Sequence, residues 1–96
     1  IEGVPYGEAV SLGDVRVSLH PAGHVLGSAQ VRIEGAPGVW VVTGDFKRAP
    51  DPTCAAFEVV PCDVLVTEAT FALPIYRWRA PDAVVRDVLA WVEGCA

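Results

Sequence analysis

The pattern of apolar and polar positions predicts three short strands in the first half of the chain, two from alternation and one from a wholly apolar run. Residues 15–19 place Val, Val and Leu at every second position, which is typical of a half-buried strand. Residues 29–34 repeat this alternation, Gly35-Ala36-Pro37-Gly38 predicts a turn, and residues 39–43 are apolar on both faces. We therefore predict a β-hairpin over residues 28–43 whose returning strand is the more buried one.

A further strand and a helix are predicted in the second half of the chain. Residues 63–67 (Asp-Val-Leu-Val-Thr) predict a buried strand that ends at Glu68, after a loop punctuated by prolines. From Pro81 the apolar residues recur at a spacing of 3.6, which predicts a helix over 81–93 that Gly94 closes. Strands followed by a helix indicate an α/β fold. The predicted core consists of Val31, Ile33, Val41, Val64 and Val66.

An aromatic and basic segment, residues 70–79, separates the last predicted strand from the helix, and we place a module boundary there. Within it, Arg77-Trp78-Arg79 has the residue types that neutralise phosphate and stack on the bases of a single-stranded nucleic acid. The alternative is a surface loop that Trp78 anchors in the core.

Composition and charge limit the classes of protein. The chain has 96 residues, of which 52% are hydrophobic and 20% charged, and this excludes a disordered chain. The formal charge of −5 argues against a basic surface of the kind that binds nucleic acids. No apolar run approaches the roughly 18 residues that span a bilayer, so we expect no membrane partner.

Methionine and cysteine usage suggests the protein's origin and compartment. The chain has no methionine and begins Ile-Glu-Gly, so we expect it to be a segment of a longer protein. The three cysteines, Cys54, Cys62 and Cys95, form no Cys-x-x-Cys pair, which argues against a zinc ribbon. We interpret them as free thiols in a reducing cytoplasm.

Three residues that follow predicted strands carry chemistry. His24 lies between Gly23 and Gly27, Asp45 follows Gly44, and Glu68 ends the last strand. An imidazole with a carboxylate suits zinc, manganese or iron, and a carboxylate can bridge two ions. The alternatives are a surface histidine, an aspartate that favours a turn and a solvated glutamate. His20, before Pro21, is interpreted either as a residue that simply ends its strand or as one that supports a ligand side chain.

The strings Ala-Gly-His-Val-Leu-Gly-Ser, Val-Thr-Gly-Asp-Phe and Val-Thr-Glu-Ala-Thr-Phe occur in that order. Together they resemble the β-CASP branch of the metallo-β-lactamase superfamily, which contains nucleases of DNA repair and of RNA 3′-end processing. The resemblance extends over residues 15–78. Residues 71–78 (Phe-Ala-Leu-Pro-Ile-Tyr-Arg-Trp) most resemble the bacterial exonucleases that are associated with DNA ligase and helicase partners.

The resemblance implies a partial metallo-β-lactamase fold, an αββα sandwich, with strands over 15–67 and a helix near 81–93. It implies that His24 binds one metal ion and that Asp45 bridges two divalent ions, zinc or alternatively manganese. It implies that Glu68 pairs with a distant histidine and assists proton transfer. Residues 1–70 would be the middle of a metallo-β-lactamase domain, and residues 71–96 the start of the inserted β-CASP domain.

The chain departs from the family pattern in two ways. The His-x-His-x-Asp-His motif, which supplies most metal ligands, is absent, and Glu-Ala-Thr stands where the family often has Glu-Ser-Thr. We therefore expect the remaining ligands to lie outside this chain, and the isolated chain to be inactive and to bind zinc weakly.

The function that the resemblance implies is a cytoplasmic, metal-dependent nuclease, specifically a DNA exonuclease of repair. Its substrate would be single-stranded DNA rather than RNA, and its partners a DNA ligase and a helicase. Three alternatives stay open: a small-molecule metallo-hydrolase, a nuclease of RNA 3′-end processing, and a non-enzymatic homologue that binds partners.

Overall fold

The computed structural model describes residues 3–95, which form one five-stranded sheet and one helix. This confirms the predicted α/β class. The strands are β1 (Ala9–Leu12), β2 (Val15–Pro21), β3 (Ala29–Gly35), β4 (Gly38–Val42) and β5 (Val64–Val66), and the helix is α1 (Pro81–Gly94). The three cysteines are free thiols.

The strands lie in the sheet in their sequence order, β1-β2-β3-β4-β5. Neighbours are antiparallel from β1 to β4, whereas β4 and β5 are parallel. The predicted hairpin over 28–43 is confirmed, with Gly35 opposite Gly38 beside its turn. Strand β1 was not predicted, because a four-residue edge strand carries too little alternation to stand out; it pairs with β2, with Val10 opposite Val17.

The two faces of the sheet differ in chemistry and in cover. On one face Ser18, Gln30 and Val41 are buried, and Gln30 Nε2 donates to the carbonyl oxygens of Pro21 and Glu58 at 3.0 and 2.7 Å. These bonds hold the segment 44–63, which connects β4 to β5, against the polar face. The register puts apolar residues on the opposite face, including Val17, Ile33, Trp40 and Val64. Residues 3–95 leave that face uncovered.

The predicted core is correct only for Val41, which is 1% exposed. Val31, Ile33 and Val64 are half-buried, and Val66 is 46% exposed. The reason is that these four lie on the uncovered apolar face, whereas Val41 lies under the segment 44–63. An apolar run on both faces of a strand predicts two covering layers, and residues 3–95 supply one.

Two strands that the sequence predicted to be buried, the returning strand of the hairpin and the strand before Glu68, are partly exposed. In the hairpin, β3 has no exposed residue, whereas Trp40 of the returning strand β4 is 44% exposed. The strand predicted over 63–67 exists as the shorter β5, at the sheet edge, where Leu65 is 57% exposed. Trp40 is exposed because it lies on the apolar face, which lacks a covering layer. Leu65 lies on the other face, next to Val41, and is exposed because β5 is an edge strand.

Helix α1 confirms the helix predicted over 81–93 and extends it by one residue, so that Gly94 is its last residue. Pro81 opens it, and Asp82 lies in the first turn, where a carboxylate is favourable. Its apolar face is exposed, with Leu89 at 57%, and within residues 3–95 the helix contacts no strand. The radius of gyration is accordingly 17.6 Å, against about 12.5 Å for a compact domain of this length.

Within the described part of the chain, no helix has the length and apolar character needed to cross a membrane.

Candidate metal centre

Three strands that run in the same direction bring three functional side chains to one sheet edge. Strand β3 is antiparallel to both β2 and β4, and β4 is parallel to β5, so β2, β4 and β5 all end at this edge. His24 follows the end of β2, Asp45 follows β4 and Glu68 follows β5. The topology therefore brings together the three residues that the sequence predicted.

The loop that carries His24 is closed by Ser28. The Ser28 hydroxyl accepts hydrogen bonds from the amides of His24 (3.1 Å) and Val25 (3.2 Å), and the Ser28 carbonyl accepts one from Ala22 (3.1 Å). Gly23 has φ +70°, a left-handed conformation that a residue without a Cβ adopts at no steric cost. The loop thus holds the imidazole beside the strand end.

The loop that carries Asp45 is joined both to β5 and to the His24 loop. The Thr43 amide donates to the Val66 carbonyl at 3.0 Å, and the hydroxyls of Thr43 and Thr67 lie 3.2 Å apart. The Lys47 amide donates to the Ala22 carbonyl at 3.0 Å. Asp45 therefore lies between Thr43 and Lys47, whose backbone amides are both hydrogen-bonded to neighbouring segments.

His24 and Asp45 face one another across the edge. His24 Nε2 lies 3.9 Å from Asp45 Oδ2, and the two side chains are 45% and 77% exposed. Bond lengths of about 2.0–2.2 Å put two ligands of one tetrahedral zinc about 3.4 Å apart, so the two atoms would have to approach by about 0.5 Å to bind one such ion. Among residues 3–95 no group of three or more His, Cys, Asp or Glu side chains could hold a metal ion.

Glu68 lies close to this pair. Its Oε2 accepts a hydrogen bond from the Thr70 amide at 2.7 Å. The Thr70 amide and hydroxyl hold the pKa of Glu68 below its usual value, with smaller contributions from the Phe46 amide and from His24. The carboxylate is therefore ionised at neutral pH, and it accepts protons or hydrogen bonds rather than donating them.

A hydrogen-bonded network behind the site was not predicted. His20 Nδ1 lies 2.9 Å from Glu58 Oε1, and His20 Nε2 lies 3.0 Å from the buried Ser18 hydroxyl. The Glu58 amide also donates to the Pro21 carbonyl at 3.1 Å. The sequence indicated a strand-end or supporting role for His20, but Glu58 lies 38 residues away and carries no local signal.

No family model matches the chain, but several proteins are similar to it in sequence. "Probable DNA ligase" of Opitutus terrae is 34% identical over 87 residues, which cover 88% of this chain and 9% of that protein. "Cleavage and polyadenylation specificity factor 73" of Drosophila melanogaster is 41% identical over 81 residues, 82% of this chain and 12% of that protein.

A third relative is shorter. "Uncharacterized protein in lig 3'region" of Acidianus ambivalens is 34% identical over 83 residues, which cover 85% of this chain and 56% of that protein. The chain thus spans about a tenth of the length of the two longer relatives and just over half of this one. The three sequence motifs occur in the order found in the family, and the three side chains that follow strand ends lie at one edge of the sheet. Together with these relatives, they show that the chain belongs to the β-CASP branch of the metallo-β-lactamase superfamily.

Proposed function

We propose that this chain is part of a metal-dependent nuclease that hydrolyses phosphodiester bonds, and specifically of a DNA exonuclease that acts in repair. The observation that carries the proposal is the convergence of His24, Asp45 and Glu68 at the ends of three strands with one direction. The relatives support the substrate class, since one is named as a probable DNA ligase and another as a cleavage and polyadenylation specificity factor.

The donor set suits two divalent ions of the zinc class, with zinc as the proposed metal and manganese as the alternative. His24 offers an imidazole nitrogen, and Asp45 offers two carboxylate oxygens that can contact two ions. The remaining ligands would come from outside this chain. When bound, such ions supply Lewis acidity toward a phosphate oxygen and a lower pKa for water.

Each of the three side chains has a distinct proposed role. His24 and Asp45 would bind the ions, and the backbone bonds of their two loops hold the two side chains near one another. Glu68, kept ionised by Thr70, accepts a hydrogen bond from a histidine elsewhere in the protein and orients it for proton transfer to the leaving oxygen. Asp45 and Glu68 are thus the proposed catalytic residues.

The proposed domain arrangement follows from the same reasoning. Residues 1–70 would belong to a metallo-β-lactamase domain in which a second sheet completes the αββα sandwich. The uncovered apolar face, with Trp40 44% exposed, supports a further layer there. Residues 71–96, including α1, would begin the inserted β-CASP domain. We retain the cytoplasm as the proposed location, and a DNA ligase and a helicase as the proposed partners.

Processing of RNA 3′ ends is the second candidate function. It is favoured by the 41% identity to the Drosophila factor, which exceeds the 34% identity to the protein named as a DNA ligase. Against it, the string 71–78 resembles the ligase-associated exonucleases. A small-molecule hydrolase is the third candidate, and Glu68 before an inserted domain argues against it.

A cleavage assay on the full-length protein tests the proposal. The protein, with zinc or manganese added, is incubated with end-labelled single-stranded DNA and with RNA of matched sequence. The Asp45→Ala variant serves as the inactive form. Glu8→Ala serves as the matched control, since it also removes an exposed carboxylate, but on the segment before β1.

The outcomes separate the candidates. Metal-dependent loss of DNA with the wild type and with Glu8→Ala, but not with Asp45→Ala, supports the DNA exonuclease, and the labelled end gives the polarity. Preferential cleavage of RNA supports the processing nuclease instead. Cleavage of neither polymer by a metal-loaded protein contradicts both nuclease proposals.

A further inference from the structure

Three aromatic side chains just after the candidate metal centre form a cluster of their own. The Phe71 ring lies 5.1 Å from the Tyr76 ring and 5.3 Å from the Trp78 ring, with interplanar angles of 85° and 87°. These are edge-to-face contacts, which the quadrupole of an aromatic ring favours. The segment also makes its own turns, with the Tyr76 amide 3.2 Å from the Leu73 carbonyl. The aromatic cluster, Phe71, Tyr76 and Trp78, is therefore held by contacts within its own segment.

The cluster leaves its rings open to a ligand. Trp78 is 77% exposed, Phe71 53% and Tyr76 44%. The alternative that Trp78 anchors its loop in the core therefore fails for the part of the chain that the structure describes. Trp78 therefore keeps most of its ring surface available for stacking.

The charged residues within the segment that carries the cluster have one sign. No carboxylate occurs between Glu68 and Asp82, whereas two arginines do, although the whole chain has a formal charge of −5. Arg79 is paired with Asp87, with Nη2 2.6 Å from Oδ2. Within residues 3–95, Arg77 has no carboxylate partner, and its guanidinium has the planar fork of donors that matches a phosphate.

We infer that the aromatic cluster and Arg77 form a binding platform for an unpaired stretch of nucleic acid, with a base stacked on Trp78 and a phosphate beside Arg77. This inference rests on the proposed nuclease function and names where its substrate binds. Only an unpaired strand fits, because in a duplex both faces of each base are already stacked on neighbours.

The aromatic cluster lies close to the candidate metal centre, so a substrate bound on the cluster could extend to that centre. Phe71 follows Glu68 by three residues, so their Cα atoms are at most about 11 Å apart. The Thr70 amide, one residue before Phe71, is itself hydrogen-bonded to the Glu68 carboxylate at 2.7 Å. A strand bound on the platform would therefore lie beside the candidate metal centre.

Binding of a labelled oligothymidine to the full-length protein tests the platform, with fluorescence anisotropy as the readout and chelator present to prevent cleavage. Trp78→Ala should weaken binding of the single strand by about tenfold, as expected for the loss of one stacked base. Trp78→Phe should restore most of the affinity. Trp91→Ala is the matched control, since Trp91 is 70% exposed on α1 and should leave the affinity unchanged.

Arg77→Gln is the second variant, and it should lower the salt dependence of binding by the equivalent of about one phosphate contact. Equal affinity of Trp78→Ala and Trp91→Ala for the single strand would overturn the inference. So would a Trp78→Ala protein that does not fold, because another part of the protein would then cover the cluster. Failure of the proposed function looks different: the wild type would bind the single strand through Trp78 but, with zinc or manganese added, would cleave neither DNA nor RNA.

Discussion

Gly23 and Lys47 come into close backbone contact directly beside His24. A Cβ atom on Gly23 would overlap the Lys47 carbonyl oxygen and lie 2.9 Å from the Phe57 amide nitrogen. Next to this contact, the Lys47 amide donates to the Ala22 carbonyl at 3.0 Å. The loop that carries His24 and the segment that carries Asp45 are thus packed backbone to backbone, and the absent side chain of Gly23 makes this approach feasible.

Gly23→Ala should therefore destabilise the protein more than Gly27→Ala does. Both glycines have positive φ, +70° and +80°, but a Cβ at Gly27 would meet no atom within 4 Å. Gly27→Ala should cost about 1–2 kcal/mol from the left-handed backbone alone, and Gly23→Ala should add the cost of separating two backbones. Denaturant unfolding of the full-length variants measures both. Equal losses of unfolding free energy in the two variants would show that the close backbone packing at Gly23 does not contribute to stability.

Removal of the Asp45 carboxylate should lower the metal content of the full-length protein. Asp45 Oδ2 lies 3.9 Å from His24 Nε2. Residues 3–95 contain no group of three or more His, Cys, Asp or Glu side chains that could hold the metal in its place. We expect Asp45→Ala to lose activity and bound metal together, measured by turnover and by elemental analysis, while Glu8→Ala retains both. Normal turnover in Asp45→Ala would contradict the bridging role.

Glu68→Gln should slow turnover and leave the metal content near that of the wild type. The amide keeps the shape of the carboxylate but lacks the charge that Thr70 stabilises. The expected loss in turnover is about 10²–10⁴-fold, the range of general acid–base contributions. Parallel loss of metal would instead make Glu68 a ligand or a structural residue.

Glu58→Ala should loosen the segment 44–63 from the sheet. The variant breaks the 2.9 Å contact with His20 Nδ1, and the Glu58 side chain is 48% exposed, which limits the contribution of the pair. We expect the free energy of unfolding to fall by about 1 kcal/mol. Amide hydrogen exchange at Lys47 should accelerate relative to wild type. Unchanged exchange would mean that the backbone hydrogen bonds and the Gln30 bonds hold the segment without the His20 contact.

The segment 47–53 should resist moderate acid. Lys47 and Thr53 hydrogen-bond the Asp51 carboxylate, from the Lys47 Nζ at 2.8 Å and from the Thr53 amide at 2.9 Å, and they hold the pKa of Asp51 well below its usual range. A depressed folded-state pKa gives stability that is present above about pH 4 and is lost only as the pH falls through the folded value.

Carbon-detected NMR titration of the Asp51 carboxyl group measures this directly, and its midpoint should lie below about 3.9, the value of an unperturbed aspartate. Lys47→Gln removes the leading hydrogen bond and should raise the midpoint. A midpoint at the unperturbed value in both proteins would show that the contacts do not persist in solution.

Local patterns determined the elements of this fold. The alternation over 29–34, the Gly-Ala-Pro-Gly turn and the 3.6-residue spacing after Pro81 each depend on neighbours in sequence, so the hairpin and α1 were predictable. The residue types of His24, Asp45 and Glu68, each after an apolar stretch, likewise follow from the sequence alone, and so does the family resemblance.

Tertiary structure decided what periodicity cannot specify. Alternation tells which residues share a face, but only the segment 44–63 determines that the face of Val41 is buried while that of Val66 is open. The His20–Glu58 contact joins residues 38 positions apart and depends on the path of the whole connecting segment. The 3.9 Å between His24 and Asp45 likewise results from two loops packed backbone to backbone, because long-range contacts are set by how segments meet and not by the composition of either.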